Sequence, residues 1–274
     1  MALPCGSVSE PPTIRFKLTL AFRGTRYHGW QRQLVVTEEG EEGDLPTVQN
    51  ELRLALQRVV GHPVTVTGAS RTDAGVHALG QAAMFDTIRV AIPPDRVRLA
   101  VNAKLPDDIV VHTVEPVAGD FEVIGDTIEK AYRYEIHNGE LKDVFASDLA
   151  FHLPPRPAPL DVERMNEAAR HLVGEHDFAS FAKPGHGRET TVRTITSLAV
   201  AREGERVRIE VAGTGFLWNQ VRILAGTLMR VGTGHIEADA MPEILAARDR
   251  QASGPTAPAC GLYLLWVRHR NRPA

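Results

Sequence analysis

The chain has 274 residues, 43% of them hydrophobic and 24% charged, enough apolar material for one large core or two medium ones and too much for a disordered or fibrous chain. Its formal net charge of −3 argues against a generally sticky nucleic-acid coat, yet the 31 lysines and arginines leave room for a basic face. Two cysteines, Cys5 and Cys260, give neither ligand spacing nor a disulfide framework, and none of the 11 histidines falls into a metal-binding pattern, so no metal is expected. The cysteine usage fits a reducing compartment. The opening residues lack a basic segment followed by an apolar one, and no stretch nears the roughly 18 apolar residues of a membrane span. A cytoplasmic protein without a membrane partner is expected.

After a tail over residues 1–11, Thr13 to Phe22 alternates apolar and polar side chains, which predicts a half-buried strand. Gln33 to Pro46, with Glu38, Glu39, Glu41, Glu42, Asp44 and two glycines, reads as a solvated acidic loop. Thr47 is placed to cap a helix carrying Val48, Leu52, Ala55, Leu56 and Val59, and Gly61 to stop it. Val64 to Thr67 predicts a short strand, Gly68 to Gly80 a turn-rich segment, Ala82 to Phe85 a strand and Asp95 to Ala103 a helix.

A second half starts near Phe121, with a strand at Tyr132 to Ile136. A proline-rich connection, Pro154 to Pro159, leads to Asp161, which can cap a helix through Met165, Ala168, Ala169 and Leu172 to Gly174. Thr194 to Val200 and Arg206 to Val211 predict a hairpin; Trp218 to Val231 and Pro242 to Ala247 read as helices and Gly261 to Val267 as a last strand. The rhythm is α+β, with two similar halves, residues 12–118 and 119–274, building one sheet.

The segment Gly68-Ala69-Ser70-Arg71-Thr72-Asp73-Ala74-Gly75-Val76-His77-Ala78-Leu79-Gly80-Gln81 packs a cation, a carboxylate and a histidine between glycines. Asp73-Ala74-Gly75 fits a plain turn, since aspartate bonds its own backbone and glycine supplies positive φ. It equally fits a loop that brings a substrate close to a reactive carboxylate. His77 suits a structural role or an RNA contact, and Trp30 and Phe216 are expected in the core.

This segment resembles, nearly residue for residue, the G-x-G-R-T-D-A-G-V-H-A motif of the TruA-type tRNA pseudouridine synthases. Tyr27-His28-Gly29-Trp30-Gln31-Arg32-Gln33 is similar to that family's Y-x-G-W-Q-x-Q signature, Asn102 to Pro106 to its N-x-x-L-P turn, and Lys130-Ala131-Tyr132-Arg133-Tyr134 to its K-x-Y-x-Y strand. Gly215-Phe216-Leu217-Trp218-Asn219-Gln220-Val221-Arg222 and Gly261-Leu262-Tyr263-Leu264 resemble its G-F-L-x-x-x-V-R and G-L-Y-L segments. The matches run in order from Tyr27 to Leu264.

The resemblance implies the pseudouridine synthase fold: two ferredoxin-like halves forming a continuous, mostly antiparallel sheet with flanking helices and a central RNA-binding cleft. It implies isomerisation of uridine to pseudouridine at positions 38 to 40 of the tRNA anticodon stem-loop, without cofactor, by a homodimer. Asp73 is then the nucleophile. Residue identity leaves open whether it adds to C1′, adds to the uracil ring or promotes elimination. Arg222 is expected to hold Asp73 ionised, Tyr132 to stack on the target base, and Arg71 to fill the space of the extruded nucleotide. Tyr134 shares a face with Tyr132 and is expected in the core.

The sequence departs from the family pattern at Ser70, usually glycine, Met84, usually histidine, Thr214, usually asparagine, and Gln220, usually methionine. The segment Phe121 to Thr127 is acidic where the family is basic. The competing readings are a synthase acting on another RNA and a non-catalytic RNA-binding or tRNA-folding protein.

Overall fold

The computed structural model describes residues 13–36, 42–88, 93–185 and 189–270. The tail over 1–11 and positions 38–41 of the acidic loop lie outside them.

The first strand, β1 (Ile14–Phe22), buries Phe16, Leu18, Leu20 and Phe22 on one face, as period-two alternation dictates. The stretch read as a solvated loop instead contains a small antiparallel ribbon of β2 (Leu34–Val36) and β3 (Glu42–Asp44). Its β-branched Val35 and Val36 favour extended chain, and the Arg32 guanidinium bonds Asp44 at 2.6 Å across its base.

Helix α1 (Val48–Val60) buries Val48, Leu52, Ala55 and Leu56 and ends at Gly61, whose φ of +77° closes the C-terminus. Thr47 stands at the expected cap position, yet its side chain makes no cap hydrogen bond. The helix N-terminus is satisfied by backbone: Val48 N donates to Gly29 O at 3.2 Å and Gln49 N to Trp30 O at 3.0 Å.

β4 (Val66–Gly68) is short and begins two residues later than expected, whereas β5 (His77–Thr87) runs far longer, taking in His77 to Gly80. Helix α2 (Pro94–Asn102) follows, then β6 (Ile109–Val117), which has no counterpart among the expected elements. Asn102 locks the two together, its side-chain amide donating to Val111 O and accepting from Val111 N, both at 2.8 Å. Pro116 is tolerated in β6 because that strand is the sheet edge.

The second half repeats the plan with β7 (Thr127–His137), a two-residue β8 (Phe151–His152), α3 (Val162–Arg170), β9 (Gly174–Asp177), β10 (Val192–Glu203), β11 (Arg206–Gly213), α4 (Gln220–Gly232), α5 (Met241–Ala247) and β12 (Leu262–His269). Asp161 caps α3 by accepting from Arg164 N at 3.0 Å. That helix stops at Arg170 instead of Gly174, because the chain turns into β9, an edge strand paired with β10.

One sheet takes the order β6-β1-β5-β12-β7-β11-β10-β9, with β4 beside β5 and β8 beside β7. In each half the four main strands run fourth, first, third, second (β6-β1-β5-β4 and β12-β7-β11-β10), the arrangement of a βαββαβ unit. The strands pair antiparallel except β12 with β5 and β7 with β8. The seam follows from lengths: β4 pairs only with Ala83, Met84 and Phe85, leaving the start of β5 free for β12, where Tyr263 pairs with His77 and Leu264 with Ala78. The main hydrophobic core runs through both halves, and Ala69, Ala82, Phe121 and Val123 form a smaller separate cluster.

Gly226 lies mid-helix in α4, where glycine is normally about 1 kcal/mol worse than alanine. It is required by the loop that crosses it: a Cβ there would sit 1.8 Å from Pro255 O. Gly226→Ala is therefore expected to lower stability by about 1–3 kcal/mol, a strain outweighing the helix-propensity gain and readable as a reduced urea midpoint.

Candidate active site

The connection from β4 to β5 leaves the sheet at this seam and carries Arg71, Thr72 and Asp73. Asp73 opens a tight turn in which Val76 N donates to Asp73 O at 3.2 Å and Gly75, at the third position, has φ +78°, the type II requirement. The turn rests on residues 27–30. Trp30 N donates to Thr72 O at 3.0 Å, and Gly29 passes so close that a Cβ would lie 2.6 Å from the same oxygen. The Tyr27 to Gln33 signature is thus the bed of the Asp73 turn. Trp30 is in the core, its ring against Gly68.

Across the seam, the chain reverses at Asn219, a non-glycine residue with φ +60°, and enters α4. Trp218 and Asn219 form a turn closed by the Gln220 N to Leu217 O bond, so the helix begins at Gln220, later than Trp218. Arg222 stands in the first turn, where the helix dipole disfavours a cation. Its guanidinium is compensated by its partners: Nη1 donates to Asp73 Oδ2 at 3.0 Å and Nε to Ala257 O at 2.7 Å. Gly226 permits the crossing of the 255–257 segment that brings this carbonyl in. The other carboxylate oxygen, Asp73 Oδ1, accepts from the Trp218 indole Nε1 at 3.1 Å. The ion pair is only partly accessible, with 17% of the Arg222 side chain and 30% of the Asp73 side chain exposed.

Tyr132 on β7 forms the facing wall. It is 7% exposed, its ring meets Phe216 edge-on at 5.2 Å, and its hydroxyl shares a 2.6 Å hydrogen bond with Ser70 Oγ. Burial pushes the phenol up to about 12, with the Asp73 charge adding to the rise and the Ser70 bond opposing it, so the group is neutral at physiological pH. Tyr134, two residues on, is fully buried and donates to Pro258 O at 2.8 Å. Phe216, expected in the core, is only half-buried and lines the cleft.

These groups surround an open cleft of about 1180 Å³ whose lining includes Arg71, Asp73, Tyr132, Phe216, Trp218 and Arg222. The structure therefore brings together all four residues singled out from sequence. Arg71 is exposed and makes no hydrogen bond or ion pair among the described residues. His77 is buried instead. Its Nδ1 accepts from Gly24 N at 3.0 Å, which leaves Nε2 to donate to Asp148 O at 3.0 Å, and it stacks on Tyr263 at 4.8 Å. Among the described residues no group of three or more His, Cys, Asp or Glu is placed to hold a metal ion, and no helix is long and apolar enough to cross a membrane.

The family model described as tRNA pseudouridine synthase matches residues 20–124 and 168–269. This chain belongs to that family. It is 43% identical over 251 residues to the tRNA pseudouridine synthase A of Acetivibrio thermocellus, covering 92% of this chain and 98% of that protein. It is 45% identical over 250 residues to the one of Brevibacillus brevis (91% and 97%) and 42% identical over 253 residues to the one of Geotalea uraniireducens (92% and 98%). A crystal structure of a Cbf5-Nop10-Gar1 complex aligns with 78% of this chain and 54% of its own at a TM-score of 0.33 and 9% identity, too loosely to bear on function.

Within the family's frame, three of the departures read from sequence acquire local reasons. Ser70 supplies the hydroxyl that bonds Tyr132. Gln220 ties the turn before α4, its Oε1 accepting from Leu217 N at 2.8 Å while its own N–H donates to Leu217 O at 3.1 Å. The acidic segment is partly compensated internally. Asp126 is buried and accepts from Glu122 N at 2.9 Å, and Glu122 pairs with Arg15 at 3.0 Å. The contacts of Trp218, Ser70 and the Ala257 carbonyl were not anticipated. Trp218 lay inside a quoted motif, at a position that motif leaves unspecified.

Burial lowers the pKa of His77 from its ordinary value near 6.5. As pH falls through that value the unfolded chain takes up a proton that folded His77 resists, so its contribution to stability, complete at higher pH, is lost on acidification. His77→Gln, a neutral side chain with an acceptor and a donor, is expected to reduce the fall in Tm between pH 7.5 and 5.5; His269, also lowered by burial, maintains part of the slope. An unchanged slope in the variant would remove His77 as its cause.

Proposed function

We propose that this protein isomerises uridine to pseudouridine in the anticodon stem-loop of tRNA, at positions 38 to 40, with Asp73 as nucleophile. The observation that carries the reading is the carboxylate held at both oxygens by Arg222 and Trp218, at the wall of an open cleft opposite a neutral tyrosine. Membership of the family and relatives called tRNA pseudouridine synthase A supply the substrate class.

The reaction breaks the N1–C1′ bond, turns the uracil and rejoins it through C5, whose proton is released as N1 gains one. Each of the three routes open to Asp73 needs an ionised carboxylate at the reaction centre, and Arg222 provides the opposite charge that keeps it so in a partly closed cleft. A paired uridine cannot reach that carboxylate, so the nucleotide must leave the stem, at an unstacking cost of a few kcal/mol. Arg71, exposed and without a partner among the described residues, is available to occupy the vacated space. Tyr132, held by Ser70, offers the base a ring to stack on and carries a neutral hydroxyl. The homodimer is inferred from the family resemblance, and a cytoplasmic setting from cysteine usage that fits a reducing compartment.

Tritium release from tRNA transcripts labelled at uridine C5 tests the reading, because C5 loses its hydrogen. Asp73→Asn is expected to fold and bind tRNA but release no tritium; near wild-type release would end the nucleophile assignment. Release from wild type on other RNA alone would shift the substrate, and tRNA binding without release would favour a non-catalytic protein. Arg222→Lys keeps the charge but cannot bond Asp73 and Ala257 O together, and a fall of roughly tenfold or more in kcat is expected.

A further inference from the structure

We infer that Trp218 is a positioning residue for Asp73, its indole N–H fixing Oδ1 while Arg222 fixes Oδ2, so that the carboxylate plane is set before RNA binds. The inference rests on the function proposed above for the same site.

An aspartate carboxylate rotates easily about its last bond, where the torsional wells are broad. The single contact from Arg222 Nη1 to Oδ2 leaves that rotation available. The Trp218 Nε1 contact to Oδ1, at 3.1 Å, removes it. Indole suits the task because it only donates and carries no charge, so it orients the carboxylate without adding a second full cation that would hold a nucleophile back from attack.

The ring is itself fixed, although Trp218 is 44% exposed and burial alone does not account for its place. Lys183 Nζ lies 4.1 Å over its centroid, and Lys183 N donates to Trp218 O at 3.1 Å. On the other side, Asn219 at φ +60° and the Leu217–Gln220 hydrogen bonds set the backbone reversal that turns the indole edge toward Asp73. Both contacts to the carboxylate thus come from the 217–222 segment, and Lys183 acts on it only through the Trp218 ring.

Two measurements on the full-length protein decide the matter. In tritium-release kinetics, Trp218→Phe keeps an aromatic ring but loses the donor, and kcat is expected to fall roughly tenfold with KM for tRNA and Tm unchanged. Wild-type kcat in the variant, or a raised KM with unchanged kcat, would overturn the positioning role, the latter making Trp218 an RNA contact. The second is the ¹H–¹⁵N spectrum of the three tryptophan indoles, in which the Trp218 signal is identified by its loss in Trp218→Phe. Asp73→Ala should move that signal and leave Trp30 and Trp266 in place; an unmoved Trp218 signal overturns the contact. This spectrum needs no turnover, so a wild type inactive on tRNA would refute the proposed function while the contact is still judged on its own.

Discussion

The site is organised around one ion pair, Arg222 with Asp73, in a place only partly open to water. Removing a charge from water is costly unless an opposite charge lies close. Here the cation comes from the other half of the chain, 149 residues from Asp73, and it occupies the first turn of a helix whose dipole disfavours it. Neither residue is placed for the comfort of its own element. Each is stabilised by the other, and the Ala257 carbonyl shares the guanidinium.

That pairing needs the two halves held in register, which explains the seam. β4 pairs with only three residues of β5, so β12 can pair with the start of the same strand, and the Asp73 turn emerges where one partner gives way to the other. Glycines act here through close approach. Gly29 lets residues 27–30 lie against the turn, and Gly226 lets the 255–257 segment cross α4 and present its carbonyl. The same seam holds His77 and Tyr263 stacked behind the turn, giving a rigid support to a loop that must stay open on its other side.

The electrostatics divide cleanly between charged and neutral members. Tyr132 is kept neutral by burial and His77 is held as a neutral tautomer by a backbone donor on one side and a backbone acceptor on the other. The segment 121–127, acidic where the family is basic, directs Asp126 into its own turn and pairs Glu122 with Arg15. Its charge is thereby partly neutralised within the protein.

Local pattern was sufficient for much of this protein. Period-two alternation marked β1, helical spacing and Gly61 marked α1, and Asp161 was read correctly as the cap of α3. The Asp73 segment, Tyr132, Arg71 and Arg222 were singled out by ordered motifs, since such motifs preserve residue types even when the partners lie far apart. What the sequence could not carry were effects set by non-local contact. Thr47 sits at a cap it does not make, because the backbone of Gly29 and Trp30 reaches the helix first. His77 to Gly80 looked like turn and became strand once β12 came alongside. Trp218 held no signal of its own, for a donor to Asp73 is defined by a distance, and only the folding of two halves onto one seam creates it.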